Sequence, residues 1–115
     1  MDYRDKLQRQ AILSALGGIS EDIYLELIGL FRQQTREQLA QAAAALAANN
    51  LALIGTIVHS IKGAAANLRL QALVEPAAAL ERLAKDGSDP AAIPQLFAQL
   101  RDAFAALEDD FSGGG

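Results

Sequence analysis

The sequence predicts an all-α protein. Three observations lead to this prediction: alanine, leucine and other strong helix formers dominate, aromatic residues make up only 5%, and apolar residues recur at the helical spacing. With 115 residues the chain is long enough for one domain with one modest core. We expect residues 1–111 to form that domain and residues 112–115, Ser-Gly-Gly-Gly, to be a flexible tail.

Five predicted helical segments follow one another, at about 2–16, 20–48, 51–69, 70–85 and 90–111. Gly17-Gly18 ends the first segment, and Ser20 is a good N-cap for the second. Pro76 indicates either a local kink or a helix start, and the last helix starts at Pro90 or Pro94. Because the last four segments are joined by short connections, we predict an antiparallel up-and-down four-helix bundle with a short extra N-terminal helix.

Charge and composition exclude several classes of function. The net charge is −4, from 14 acidic and 10 basic residues, and no dense basic block points to nucleic acid. There is no cysteine, which excludes disulfides, thiolate catalysis and cysteine-based zinc sites. No apolar run is long enough for a membrane span, and the first residues lack the apolar stretch of a signal peptide. We therefore expect a cytoplasmic monomer that binds neither nucleic acid nor membrane.

His59, the single histidine, is the candidate for chemistry. On a helical wheel the apolar residues of its segment fall within an arc of about 120°, and His59 lies about 160° from the centre of that arc. Gly55, Lys62, Gly63 and Ala66 lie within about 60° of His59 on the same wheel. The wheel thus predicts an exposed imidazole in a clearing of small residues with one lysine.

The two glycines in this clearing are unexpected inside a helix. Each costs about 1 kcal/mol relative to alanine, which the chain uses freely elsewhere. At four residues before and after His59, they leave room for a second protein to approach the imidazole. A neutral imidazole is a competent nucleophile near pH 7, and Lys62 can neutralise an anionic group beside it. An exposed histidine alone is more often ordinary surface, so the surrounding residues decide between the two interpretations.

Residues 59–68 read His-Ser-Ile-Lys-Gly-Ala-Ala-Ala-Asn-Leu. This string resembles the signature of histidine-containing phosphotransfer (HPt) domains, His-x-Leu-Lys-Gly-Ser/Ala-Ala/Ser-x-Asn-Leu. The likeness extends over nearly the whole chain: the helix with Leu27 and Phe31 resembles the preceding helix of the family, and Leu80-Glu81 resembles the Leu-Glu of the following helix.

The resemblance implies that His59 accepts a phosphoryl group from an aspartate of a response-regulator receiver domain and passes it to another receiver. The donor receiver can be part of a hybrid sensor kinase. It implies a carrier and not an enzyme, with no cofactor of its own, because Mg²⁺ and the catalytic aspartates belong to the receiver. Lys62 would stabilise the phosphoryl charge, and Gly63 would leave room for the receiver. The helical wheel adds Gly55 and Ala66 to the surface that the partner would approach. Glu81 would orient the imidazole through Nδ1, or else it is a solvated helix carboxylate paired with Lys85 at i+4.

Two residues at the end of this helix stay open. Asn67 is best interpreted as a polar residue near the helix end. Arg69 replaces a glycine that is frequent in the family, so the helix either continues there or joins the next one differently. The Arg69 charge either attracts an acidic receiver or only complements the helix C-terminus.

The alternative function is a helical adaptor that docks on signalling proteins without being phosphorylated. A metal or cofactor bundle is excluded, because one histidine without inward-facing Glu-x-x-His pairs cannot build such a site.

Overall fold

The computed structural model describes residues 20–112, and its regular elements in that range are all helical. They are four α-helices and one 3₁₀ turn: α1 (Glu21–Ala47), α2 (Leu51–Asn67), α3 (Gln71–Asp86), the turn Pro90–Ala92, and α4 (Ile93–Ser112). The all-α prediction is therefore confirmed. The predicted N-terminal helix at 2–16 and residues 113–115 of the predicted tail lie outside the described residues, whereas Ser112 is the last residue of α4.

Helix α1 begins and ends as its sequence predicts. The Ser20 side chain accepts a hydrogen bond from the Ile23 amide at 3.2 Å, which satisfies one of the free donors at the helix start. At the other end Asn49 has a φ of 56°, in the left-handed region that asparagine tolerates better than most residues. The Asn50 side chain then accepts from the Leu53 amide at 3.2 Å and caps α2. Three residues thus connect α1 to α2.

Helix α2 ends at Asn67, two residues earlier than the sequence analysis predicted. Arg69 has a φ of 60°, so it has left the right-handed helix. Its amide donates to the Ala66 carbonyl at 3.1 Å, and the Leu70 amide donates to the Ala65 carbonyl at 2.9 Å. This pair of bonds is the Schellman arrangement, which favours glycine at the residue with positive φ. The helix therefore does not continue through Arg69, and this conformation explains why glycine suits that place.

The prolines affect the last two helices differently. Pro76 lies inside α3, which already begins at Gln71, so the alternative of a helix start near Pro76 is wrong. Gly87, with a φ of 67°, ends α3. Pro90 opens the 3₁₀ turn and Pro94 is the second residue of α4, so both prolines occupy a first turn, where no helical amide partner is lost.

The core runs between the four helices. Helix α2 contacts both α1 and α3, and α4 packs against α3 and also reaches α1. Between α1 and α4, the Phe31 and Phe104 rings meet edge to face with centroids 6.4 Å apart, and Arg36 Nε donates to Glu108 Oε1 at 2.5 Å. The antiparallel order of the helices stays a prediction. Among residues 20–112, no helix is both long and apolar enough to cross a bilayer.

Candidate functional site

His59 is the middle residue of α2, with eight helical residues on either side. The buried side chains of this helix, including Val58 and Ile61, point into the core. His59 points away from them, and its side chain is 64% exposed. The helical wheel therefore predicted its exposure correctly.

The carboxylate of Glu81 on α3 contacts the His59 ring. The His59 Nδ1 atom lies 2.7 Å from Glu81 Oε2, and the Glu81 side chain is only 6% exposed. An ionised carboxylate only accepts hydrogen bonds, so in the neutral imidazole Nδ1 carries the proton and donates it. The lone pair is then on Nε2, the ring nitrogen that Glu81 does not bind. Contact with the ring was one of two interpretations of Glu81, and the structure has this contact.

Two lysines also bind the Glu81 carboxylate. Lys62 Nζ lies 2.5 Å from Oε1, and Lys85 Nζ lies 2.9 Å from Oε2. The hydrogen bonds from Lys62 and then from Lys85 lower the pKa of Glu81 to about 2, against an opposing effect of burial; the bond from His59 adds to the lowering. Glu81 is therefore ionised at neutral pH. The i+4 pair with Lys85 also forms, but the second interpretation of Glu81, a solvated carboxylate, is wrong because Glu81 is buried.

Lys62 was predicted to face an incoming phosphoryl group, and here its ammonium contacts Glu81. The structure thus brings together three sequence-predicted site residues, His59, Lys62 and Glu81. It adds Lys85, which the sequence indicates only as a neighbour of Glu81 on the same helix. The i, i+4 spacing of Glu81 and Lys85 was a usable signal, but the position of α3 relative to His59 was not visible in the sequence.

The placement of Gly55 on open surface is wrong. Gly55 is buried, and a Cβ built there would lie 3.7 Å from Ala84 Cβ and 3.8 Å from Lys85 Cγ. The wheel failed because it considered a single apolar arc, whereas α2 packs against α1 on one side and α3 on the other. Gly55 lies on the side that faces α3.

Gly63 and Ala66 are exposed, as the wheel predicts. A Cβ at Gly63 would meet nothing within 4 Å, so this face of the helix is open beside His59. Next to the histidine, the Ser60 hydroxyl accepts a hydrogen bond from the Gln38 side chain at 3.0 Å, which ties α2 to α1. The exposed Arg69 lies beyond the end of α2.

A groove of about 440 Å³ opens beside His59 between α2 and α3. Its lining is mainly small and apolar: Leu51, Ala52, Gly55, Thr56, His59, Ala84 and Lys85. Among residues 20–112, no three histidine, cysteine, aspartate or glutamate side chains are grouped so that they could hold a metal ion. The geometry instead offers one accessible nitrogen nucleophile beside two ammonium groups.

Comparison with known proteins identifies one family. Residues 26–110, about three quarters of the chain, match the family model described as Hpt domain. The matched range includes His59, Lys62, Glu81 and Lys85. A search of curated proteins and a search of solved structures gave no match.

Proposed function

The chain belongs to the Hpt domain family, and from this premise we propose that it carries phosphate between receiver domains of a two-component phosphorelay, with His59 as the phosphoryl acceptor. The observation that carries the proposal is the pairing of an exposed imidazole with a buried, ionised Glu81 on Nδ1. This pairing holds the ring in one orientation and leaves Nε2 as the nucleophile.

The transfer step follows from the tautomer. The Nε2 lone pair attacks the phosphorus of an aspartyl phosphate, the P–O bond to the aspartyl group breaks, and the aspartate leaves as a carboxylate. The ring then bears the phosphoryl group on Nε2 and a proton on Nδ1, so it is an imidazolium. Glu81, with its oxygen 2.7 Å from Nδ1, stabilises the positive charge that forms on the ring. Return of the group to a second receiver is the reverse reaction.

The residues around the ring support docking and not independent catalysis. In this proposal Lys62 stabilises the phosphoryl charge through the site it shares with Glu81, and exposed Gly63 lets the receiver approach the ring. The receiver supplies Mg²⁺ and the acidic residues that bind it. The chain is then a phosphoryl carrier that acts as a monomer between two receivers.

The direct test is incubation with a receiver domain carrying radiolabelled aspartyl phosphate. We expect label on the wild type that survives alkali and is lost in acid, as a phosphoramidate does, and no label on His59→Gln. Ser60→Ala is the matched control: the side chain is adjacent and exposed, and this variant should accept label normally. Label on His59→Gln at the wild-type rate would refute the proposal.

Gly63→Gln tests the docking surface separately. A glutamine side chain beside His59 should block the receiver and reduce transfer about tenfold or more, while the helix becomes slightly more stable because a glycine is lost. If receivers bind the wild type but no label transfers, the chain is a helical adaptor and not a carrier.

A further inference from the structure

Lys85 lies at the site, but the proposed transfer reaction gives it no role. Its ammonium contacts Oε2 of Glu81 at 2.9 Å, the same oxygen that accepts from His59 Nδ1 at 2.7 Å. Lys85 Nζ therefore lies within about 5.6 Å of Nδ1, the sum of these two distances. Lys62 contacts the other oxygen, Oε1. The two lysines thus bind one carboxylate from two different helices, and Lys85 is the one that shares an oxygen with the ring.

The two ammonium groups differ in their freedom to move. The Lys62 side chain is 31% exposed, whereas that of Lys85 is 66% exposed and lies one residue before the end of α3. Lys85 also lines the groove that contains His59, and Lys62 does not. An exposed lysine with a flexible four-carbon stem and a single i+4 partner changes its contact readily. Lys85 is therefore the ammonium that is able to leave Glu81.

The charges favour such a move after phosphorylation. Before transfer, one carboxylate, two ammonium groups and a neutral ring give the cluster a net charge of about +1. A phosphoryl dianion on an imidazolium ring adds about −1, which makes the cluster neutral. Without Lys85 the phosphorylated cluster has an uncompensated negative charge. Once the ring is positive, Glu81 keeps the ring and Lys62 as partners and no longer needs a second ammonium.

We propose that Lys85 binds the phosphoryl oxygens on Nε2 of phosphorylated His59, leaving Glu81 to the ring and Lys62. This inference rests on the proposed function, because it requires a phosphoryl group on His59. It assigns the two lysines different positions: Lys62 stays on the Glu81 carboxylate and acts on the phosphoryl charge from there, whereas Lys85 contacts the phosphoryl oxygens directly.

The test is a ³¹P NMR pH titration of the chain phosphorylated with phosphoramidate, a small donor that needs no receiver. Lys85→Met should raise the midpoint of the phosphoryl titration by about 0.7, the effect of one charge about 4 Å away in water, because the ammonium favours the dianion. Lys85→Arg should restore the wild-type midpoint. Arg82→Met is the matched control: it removes one charge from α3 at a residue that lines the neighbouring groove with Lys62 and Glu81 but not the groove of His59, and it should raise the midpoint less than Lys85→Met does.

A second background separates direct contact from an effect through Glu81. In Glu81→Gln the carboxylate charge is gone, so Lys85→Met should still raise the midpoint if the ammonium binds the phosphoryl group itself. An unchanged midpoint in either background overturns the inference, as does a wild type that phosphoramidate leaves unphosphorylated. If the wild type accepts phosphate from phosphoramidate but not from any receiver, only the proposed function is contradicted. The comparison of the wild type with Lys85→Met still tests the role of Lys85 in that case.

Discussion

Within residues 20–112, three glycines lie inside helices without any need for a positive φ: Gly29 in α1, and Gly55 and Gly63 in α2. Replacing each by alanine tests whether the clearing around His59 is kept for a partner or for the fold. In a helix that needs no glycine, alanine is the better residue, so all three variants should be more stable than the wild type.

The structure sets the expected magnitudes. Loss of a helical glycine is worth about 1 kcal/mol in each case. A Cβ at Gly29 or Gly63 meets nothing within 4 Å, so these variants gain only that amount. At Gly55 the new methyl makes ordinary contacts at 3.7 and 3.8 Å, and its burial adds up to about 0.8 kcal/mol. Gly55→Ala should therefore be the most stable of the three, with a melting temperature at least about 4 °C above the wild type.

Urea unfolding followed by circular dichroism measures the stabilities, and transfer from a phosphorylated receiver measures function. Gly29→Ala is the matched control, because Gly29 is more than two turns along α1 from Gln38, the residue that bonds Ser60 beside His59. It should transfer normally. Gly55→Ala narrows the groove beside the ring and Gly63→Ala fills the open face, so both should transfer more slowly despite their higher stability.

Two results would refute this reasoning. If Gly55→Ala or Gly63→Ala is less stable than the wild type, the fold itself requires that glycine, and its cost says nothing about a partner. If all three variants are more stable and all transfer at the wild-type rate, the small residues around His59 have no part in docking.

Three further predictions concern stability. The stability that ionised Glu81 contributes is present above its unfolded pKa of 4.5 and is lost as the pH falls towards its folded pKa of about 2. In urea unfolding, the free-energy advantage of the wild type over Glu81→Gln should therefore shrink across that pH range. Arg69→Gly should stabilise the fold by about 0.5 kcal/mol, since relief of the left-handed conformation exceeds the added chain entropy; a loss of stability in the same assay would contradict this. Phe31→Ala should lower the free energy of unfolding by about 3–5 kcal/mol, because the Phe31 ring is buried against Phe104. Urea unfolding measures this loss as a lower midpoint, and a loss below about 1 kcal/mol would show that the ring is not part of the core.

Local signals in the sequence were sufficient to locate the four α-helices of residues 20–112 and to predict the exposure of His59. Ser20 and Asn50 cap helices through contacts that span only three residues, which a sequence pattern represents directly. The exposure of His59 follows from the period of the apolar residues on its own helix. These features depend on neighbours along the chain, and the structure agrees with them.

Features that depend on a second helix were less accessible. Burial of Gly55 and the contact of Lys62 with Glu81 both arise because α3 packs beside α2, and no pattern on α2 alone contains that information. The end of α2 was misplaced for a different reason: Arg69 gives no sign that it adopts a positive φ, because the hydrogen bonds of the turn compensate for a residue that ordinarily avoids it.

The central place of His59 in α2 has a consequence for the time scale of local motion. Helices fray from their ends, and both ends of α2 are two full turns away from His59. The backbone amides around the histidine should therefore be among the slowest to exchange hydrogen for deuterium, although the imidazole side chain is largely exposed to solvent. An exposed ring on a slowly exchanging backbone would present the same imidazole geometry to a partner at each encounter, without waiting for a segment to order.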